Sequence, residues 1–165
     1  IHPIKILLQT PLKKLDYLMR ALIQRVINAS VSTNGSLVGS IATGLTVFIA
    51  VGRDDTIESA NYIINKVLNL RLFSKDDQQL VQSVDEINGG LLVVSQFTLY
   101  AETRKGRRPS FIAASNASEA IALFEYILNE FSKSNCSLVS GIFGADMIVD
   151  IKNDGPFTIW LDTDI

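Results

Sequence analysis

One histidine and one cysteine are all that this 165-residue chain offers of the side chains most often recruited for hydrolysis. The histidine is His2, and no imidazole follows it, so a Ser-His-Asp or Cys-His arrangement would have no internal base. Zinc sites built from His and Cys need three or four such ligands and are excluded by the same count; no metal or cofactor is expected. A lone Cys136 permits no internal disulfide, which fits a reducing, cytoplasmic setting. Long apolar runs are missing too. The longest candidate, Ile41 to Val51, is eleven residues, well short of the ~20 that cross a bilayer, so no membrane partner is expected. Nor is there an excess of positive charge: 15 basic and 17 acidic side chains give a net charge of −2, and nothing global advertises nucleic-acid binding.

What the chain does have is a large apolar fraction, 47%, enough to bury the core of one globular domain. Residues 1–18 read as an N-terminal extension set apart from a single domain over 19–165: the first methionine is Met19, and a strand-like run follows at once. Setting aside those eighteen residues, with their three lysines and one aspartate, leaves 12 basic and 16 acidic side chains.

Within the domain, Met19–Val26 reads as a buried first strand, and Asn34-Gly35 as a hairpin turn leading into Leu37–Ile41. Leu45–Val51 reads as a core strand. The period then changes: Ala60, Ile63, Ile64, Val67 and Leu68 mark one helix face, with Asp55 and Glu58 as its capping box. Leu91–Tyr100 reads as another core strand, and Ala120, Phe124, Ile127, Leu128 and Phe131 as the stripe of a second helix from about Ser118. Three strands, Leu138–Phe143, Met147–Ile151 and Phe157–Leu161, would close the chain. The pattern predicts an α+β fold: a largely antiparallel, curled or barrel-like sheet with two flanking helices.

Two segments carry chemistry. In the first, Ser95, Gln96, Phe97 and Thr98 end a buried strand and lead into a loop where Arg104, Lys105, Arg107 and Arg108 fill four of five positions. These are a third of the domain's positive charges, a natural contact for phosphates, although composition alone favours a solvated loop. The second is Asn153-Asp154-Gly155-Pro156-Phe157-Thr158, which on spacing alone is a simple turn before a strand.

Taken together, these segments, with Met19–Val26, Asn69–Phe73 and Phe143–Met147, resemble the D-aminoacyl-tRNA deacylase family, continuously from Met19 to the end of the chain. The resemblance implies hydrolysis of the ester joining a D-amino acid to the 3′-terminal adenosine of tRNA, by a homodimer with its sites at the interface. Glycyl-tRNA mischarged on tRNA(Ala) would be a further substrate. Ser95, Gln96, Phe97 and Thr98 would line the catalytic pocket, with the Phe97 and Thr98 amides as oxyanion hole. Gly155-Pro156, cis in the family, would be inserted from the partner and reject L-residues sterically. Arg25 would tether that dipeptide, with Asn153 and Thr158 supporting it, and Met147 would help receive the terminal adenine. With no histidine base, Thr98 would position a water activated by the substrate's own 2′-OH. Gln24, Tyr100, Trp160 and Cys136 read as structural, Trp160 as core of the closing strand. Two positions depart from the family pattern: Phe157 is bulkier than the expected aliphatic residue, and Glu102 replaces a common Asp. A non-catalytic tRNA- or nucleic-acid-binding module on the same fold is the alternative.

Overall fold

The computed structural model describes residues 19–163; the expected extension and His2 lie outside these. The described residues form β1 (Arg20–Thr33), β2 (Ser36–Ile41), β3 (Gly44–Ala50), α1 (Ile57–Asn69), β4 (Arg71–Lys75), β5 (Gln78–Ser83), β6 (Gly90–Ser95), α2 (Ala117–Phe131), β7 (Ser137–Ser140) and β8 (Ile148–Asp162). The Asn34-Gly35 hairpin is confirmed, both residues standing at positive φ, 49° and 76°, as the twist of the flanking strands requires.

β1 is the spine. Along its length it pairs antiparallel with β8, from Arg20 opposite Asp162 to Ser32 opposite Ile148. On its other edge it pairs first with β3 and then with β2, also antiparallel. The centre differs from the expected pattern, because β3–β6 and β6–β7 are parallel. Each parallel pair needs a long crossover: α1 with the β4–β5 hairpin supplies one, and α2 the other. The result is a mixed, barrel-like sheet in an α+β domain.

Two cores follow. One lies between the sheet and the helices, where Ile23, Val47 and Val93 meet Ile63, Ile127 and Phe131; full burial of such a side chain stabilises by about 1.5–3 kcal/mol. The other fills the curl of the sheet, with Val26, Val31, Ile41 and Leu92 buried and Met147 packed against them. No helix among the described residues is long and apolar enough to cross a membrane.

Several boundaries differ from expectation, each for a local reason. The α1 cap is Thr56, not Asp55: Thr56 Oγ1 accepts from the Glu58 amide while Ser59 Oγ accepts from the Thr56 amide. Asp55 Oδ2 instead accepts from the Gly52 amide. Strand β6 stops at Ser95, and Phe97–Tyr100 is a 3₁₀ turn, because β3 ends at Ala50 and leaves no ladder to extend. The strands expected at Met147–Ile151 and Phe157–Leu161 are one strand, β8. Gln24 faces Thr158 but Val26 faces Asn153, so the intervening residues bulge out of a continuous ladder. Trp160 is not core but 47% exposed.

Candidate active site

The last ladder contact of β6, Gln96 N–H to Ile49 O at 2.8 Å, fixes where the chain leaves the sheet. There it turns at once: the Leu99 amide bonds Gln96 O at 3.2 Å and the Ala101 amide bonds Thr98 O at 3.0 Å. Gln96 Nε2 donates to Thr98 Oγ1, tying the two expected site side chains together. The turn has no side-chain cap, and its opening amides, which include those of Phe97 and Thr98, have no carbonyl within the turn to bond. Phe97 is 55% exposed and meets Phe111 edge-on, the ring centroids 5.0 Å apart.

These residues border a cavity of about 460 Å³. Ser95, Gln96 and Phe97 line one side and Met147 another, with the start of α2 and the 143–146 turn completing the walls. Met147 is oriented by its own loop, its Sδ accepting from the Ile142 amide at 3.3 Å, while Thr33 Oγ1 anchors the carbonyl of Asp146 at 2.8 Å. Thus Ser95, Gln96, Phe97 and Met147 share one cavity, with Thr98 exposed on the turn beside it. The Phe143–Met147 segment singled out in the sequence forms one wall, whereas the wall from the start of α2 was not foreseen, because it depends on contacts distant in sequence. Asp146 is the one ionisable side chain among the described lining residues.

The second segment stands elsewhere on the chain. Gly155 and Pro156, joined by a cis peptide bond, are exposed on the β8 bulge and do not line the cavity. The bulge is held from below. Asn153 Nδ2 donates to Arg25 O at 2.8 Å and to Phe157 O at 3.0 Å, and Thr158 Oγ1 donates to Asn153 Oδ1 at 3.4 Å. Arg25 Nη1 donates to Leu72 O at 2.7 Å and its Nε lies 3.1 Å from Asp154 Oδ2, with the guanidinium over the Phe157 ring at 4.9 Å. Gly155 is at φ +120°, and a Cβ there would stand 3.1 Å from Phe157 N and 3.2 Å from Arg25 Nη2. No side chain larger than hydrogen fits this corner without strain.

The basic loop is pinched at its base by the reciprocal Glu102–Ser110 backbone pair, at 2.8 and 3.0 Å. Arg104 turns back onto Glu102 through its Nε, its Nη2 and its backbone amide. These hydrogen bonds hold the Glu102 carboxyl down at about 2 and raise Arg104. Lys105, Arg107 and Arg108 are exposed and, among the described residues, form no ion pair. The expected cluster of four cations is therefore three outward charges and one committed to the loop.

Comparisons with known proteins cover nearly all of this architecture. A family model described as D-Tyr-tRNA(Tyr) deacylase matches residues 22–162. A D-aminoacyl-tRNA deacylase of Clostridium botulinum (strain Eklund 17B / Type B) is 47% identical over 145 residues, 88% of this chain and 97% of that protein. One from Clostridium beijerinckii (strain ATCC 51743 / NCIMB 8052) is 46% identical with the same coverage. Among solved structures, the c-Myc DNA Unwinding Element Binding Protein aligns with TM-score 0.81 and 34% identity over 86% of this chain and 97% of its own. A probable eukaryotic D-amino acid tRNA deacylase aligns at TM-score 0.76 and 21% identity, over 88% of this chain and 99% of its own, a likeness of fold.

Proposed function

This chain belongs to the D-Tyr-tRNA(Tyr) deacylase family, and from that premise we propose how its geometry serves the hydrolysis of D-aminoacyl-tRNA. The reading is carried by the uncapped Phe97–Tyr100 turn, which sets two backbone amides at the rim of a cavity shared by Gln96 and Met147. The ester carbonyl lies against these amides, and they stabilise the negative charge that develops on its oxygen. One such donor is worth roughly 2.7–4 kcal/mol of transition-state stabilisation. Met147 and the adjoining turn receive the terminal adenine.

The nucleophile is water. Thr98 has Gln96 as its hydrogen-bond partner, and an amide is no general base for a threonine nucleophile. The substrate's 2′-OH supplies the assistance that the protein lacks, and Thr98 positions the reacting groups.

Chiral selection comes from Gly155-Pro156 of the partner subunit. On its own chain the dipeptide projects outward, braced by Arg25, Asn153, Asp154 and Phe157, as an element that serves a neighbour's cavity must. A second copy is further supported by the apolar surface where Leu22 is flanked by Phe48 and half-exposed Trp160. The dipeptide rejects the Cα substituent of an L-residue by crowding, so discrimination is repulsive and many D-residues pass; glycine, with no side chain, passes too, including on tRNA(Ala). Lys105, Arg107 and Arg108 contact tRNA phosphates.

The deciding experiment incubates the protein with matched D- and L-aminoacyl-tRNA and follows ester loss, with the oligomeric mass measured alongside. Selective release from the D-substrate by a dimer is expected. A second reading, nucleic-acid binding without catalysis, draws on the solved relative named for binding a DNA element; tight tRNA binding with no release from either substrate would favour it.

A further inference from the structure

The Phe97–Tyr100 turn is gripped from behind by an arginine at the start of β1. We propose that Arg20 is a positioning residue for the Phe97–Tyr100 turn, setting the direction in which the Phe97 and Thr98 amides face the cavity. This rests on the functional reading above.

Arg20 Nη1 donates to the Leu99 carbonyl at 3.0 Å across 79 residues of sequence. The N–H of that same residue is bonded to Gln96 O at 3.2 Å. Leu99 is thus held at both ends, once from inside the turn and once from β1. A lone 3₁₀ turn has poor internal hydrogen-bond geometry, and this one lacks a side-chain cap, so an external donor to its third residue governs its orientation. The guanidinium is itself fixed on three sides. It lies 4.5 Å from the centroid of Tyr100, the buried last residue of the turn, and 5.7 Å from that of Trp160, and its Nε is 3.5 Å from Asp162 Oδ2. A planar guanidinium can stack, pair and donate at once, which a lysine ammonium cannot. Arg20 does not line the cavity, so it acts on the reaction only through the turn.

β1 then carries two arginines with parallel duties. Arg20 sets the amide-bearing turn of its own chain, and Arg25, five residues on, braces the dipeptide offered to the partner.

The test uses the full chain, ¹⁵N-labelled, with Arg20→Met and Arg20→Lys. For D-aminoacyl-tRNA, kcat is expected to fall roughly 10–100-fold with KM within about twofold, the scale of a displaced reacting geometry. The Phe97 and Thr98 amide resonances should move in both variants, less in Arg20→Lys. If Arg20→Met does not fold, Arg20→Lys decides alone. Wild-type kcat in a folded variant, a change confined to KM, or unmoved Phe97 and Thr98 resonances would overturn the proposal. If the wild-type protein releases no D-amino acid, the functional reading fails and the resonances decide by themselves: unmoved signals overturn the positioning role, and shifted signals uphold Arg20 as the anchor of the turn.

Discussion

The guanidinium of Arg25 sits over Phe157 with its central carbon 4.9 Å from the ring centroid, while its nitrogens reach Leu72 O and the Asp154 carboxylate. One side chain therefore joins the β4–β5 hairpin to the Gly155-Pro156 bulge. Lysine would keep the charge but lose both the stacking and the fork. Arg25→Lys is expected to reduce D-over-L discrimination at least roughly tenfold, about 1.4 kcal/mol of differential transition-state binding. The ratio of kcat/KM for matched D- and L-aminoacyl-tRNA measures this; an unchanged ratio would separate Arg25 from chiral selection.

Gly155→Ala should be costly out of proportion to a methyl group. At φ +120° an L side chain is strained, and its Cβ would press on Phe157 N and Arg25 Nη2. Urea unfolding should show a loss of about 1–3 kcal/mol, accompanied by weaker rejection of L-aminoacyl-tRNA. Full stability in the variant would mean that the bulge relaxes freely.

If water assisted by the 2′-OH is the nucleophile, Thr98→Ala should lower kcat by no more than roughly 10–100-fold, the range of a positioning defect. A substrate whose terminal adenosine carries 2′-deoxyribose should lose far more. Trapping a covalent ester on Thr98 would reverse this assignment.

Arg107→Ala and Arg108→Ala should weaken tRNA binding across sequences and each reduce the salt slope of log K by about one. Arg104→Ala should change that slope less, because its charge is already engaged by Glu102. Equal slopes for all three variants would show that the Glu102 contact does not withhold Arg104 from the RNA.

The same pair makes a pH prediction. Arg104 holds the Glu102 carboxyl at about 2, below its ordinary 4.5, so the folded loop favours the carboxylate. The contribution of this contact is complete above the ordinary value and is lost as pH falls through about 2. Carboxyl ¹³C shifts should place the Glu102 midpoint near 2 in the wild type and nearer 4.5 in Arg104→Gln.

Local signals made much of this molecule legible in sequence. The stripe from Ala60 to Leu68 and that from Ala120 to Phe131 became α1 and α2, because a 3.6-residue period has one compact solution. Asn34-Gly35 became the hairpin it resembles. What stayed hidden depended on partners far along the chain. Leu91–Tyr100 is apolar enough for a strand, yet only the end of β3 at Ala50 determines that it breaks after Ser95. Asn153–Pro156 reads as a turn because nothing local reveals that Asn153 bonds Arg25 across the sheet. The hairpin from Arg71 to Ser83 escaped notice because Gln78 and Gln82 interrupt any apolar alternation. At the site, Ser95, Gln96, Phe97 and the Phe143–Met147 segment were recognisable as motifs, whereas the wall formed by the start of α2 emerges only on folding.

The pairing of β1 with β8 also sets an order in time. Arg25 and Asn153 are 128 residues apart, so at about 5–20 residues per second a ribosome finishes the first many seconds before the second exists. The Phe97–Tyr100 turn is made in between, and the Gly155-Pro156 bulge comes late. The strand that pairs along most of β1 is thus the last to be made. Since Met147 and the bulge arrive close together, a chain cut short before β8 lacks both the last wall of the cavity and the strand that covers one edge of β1.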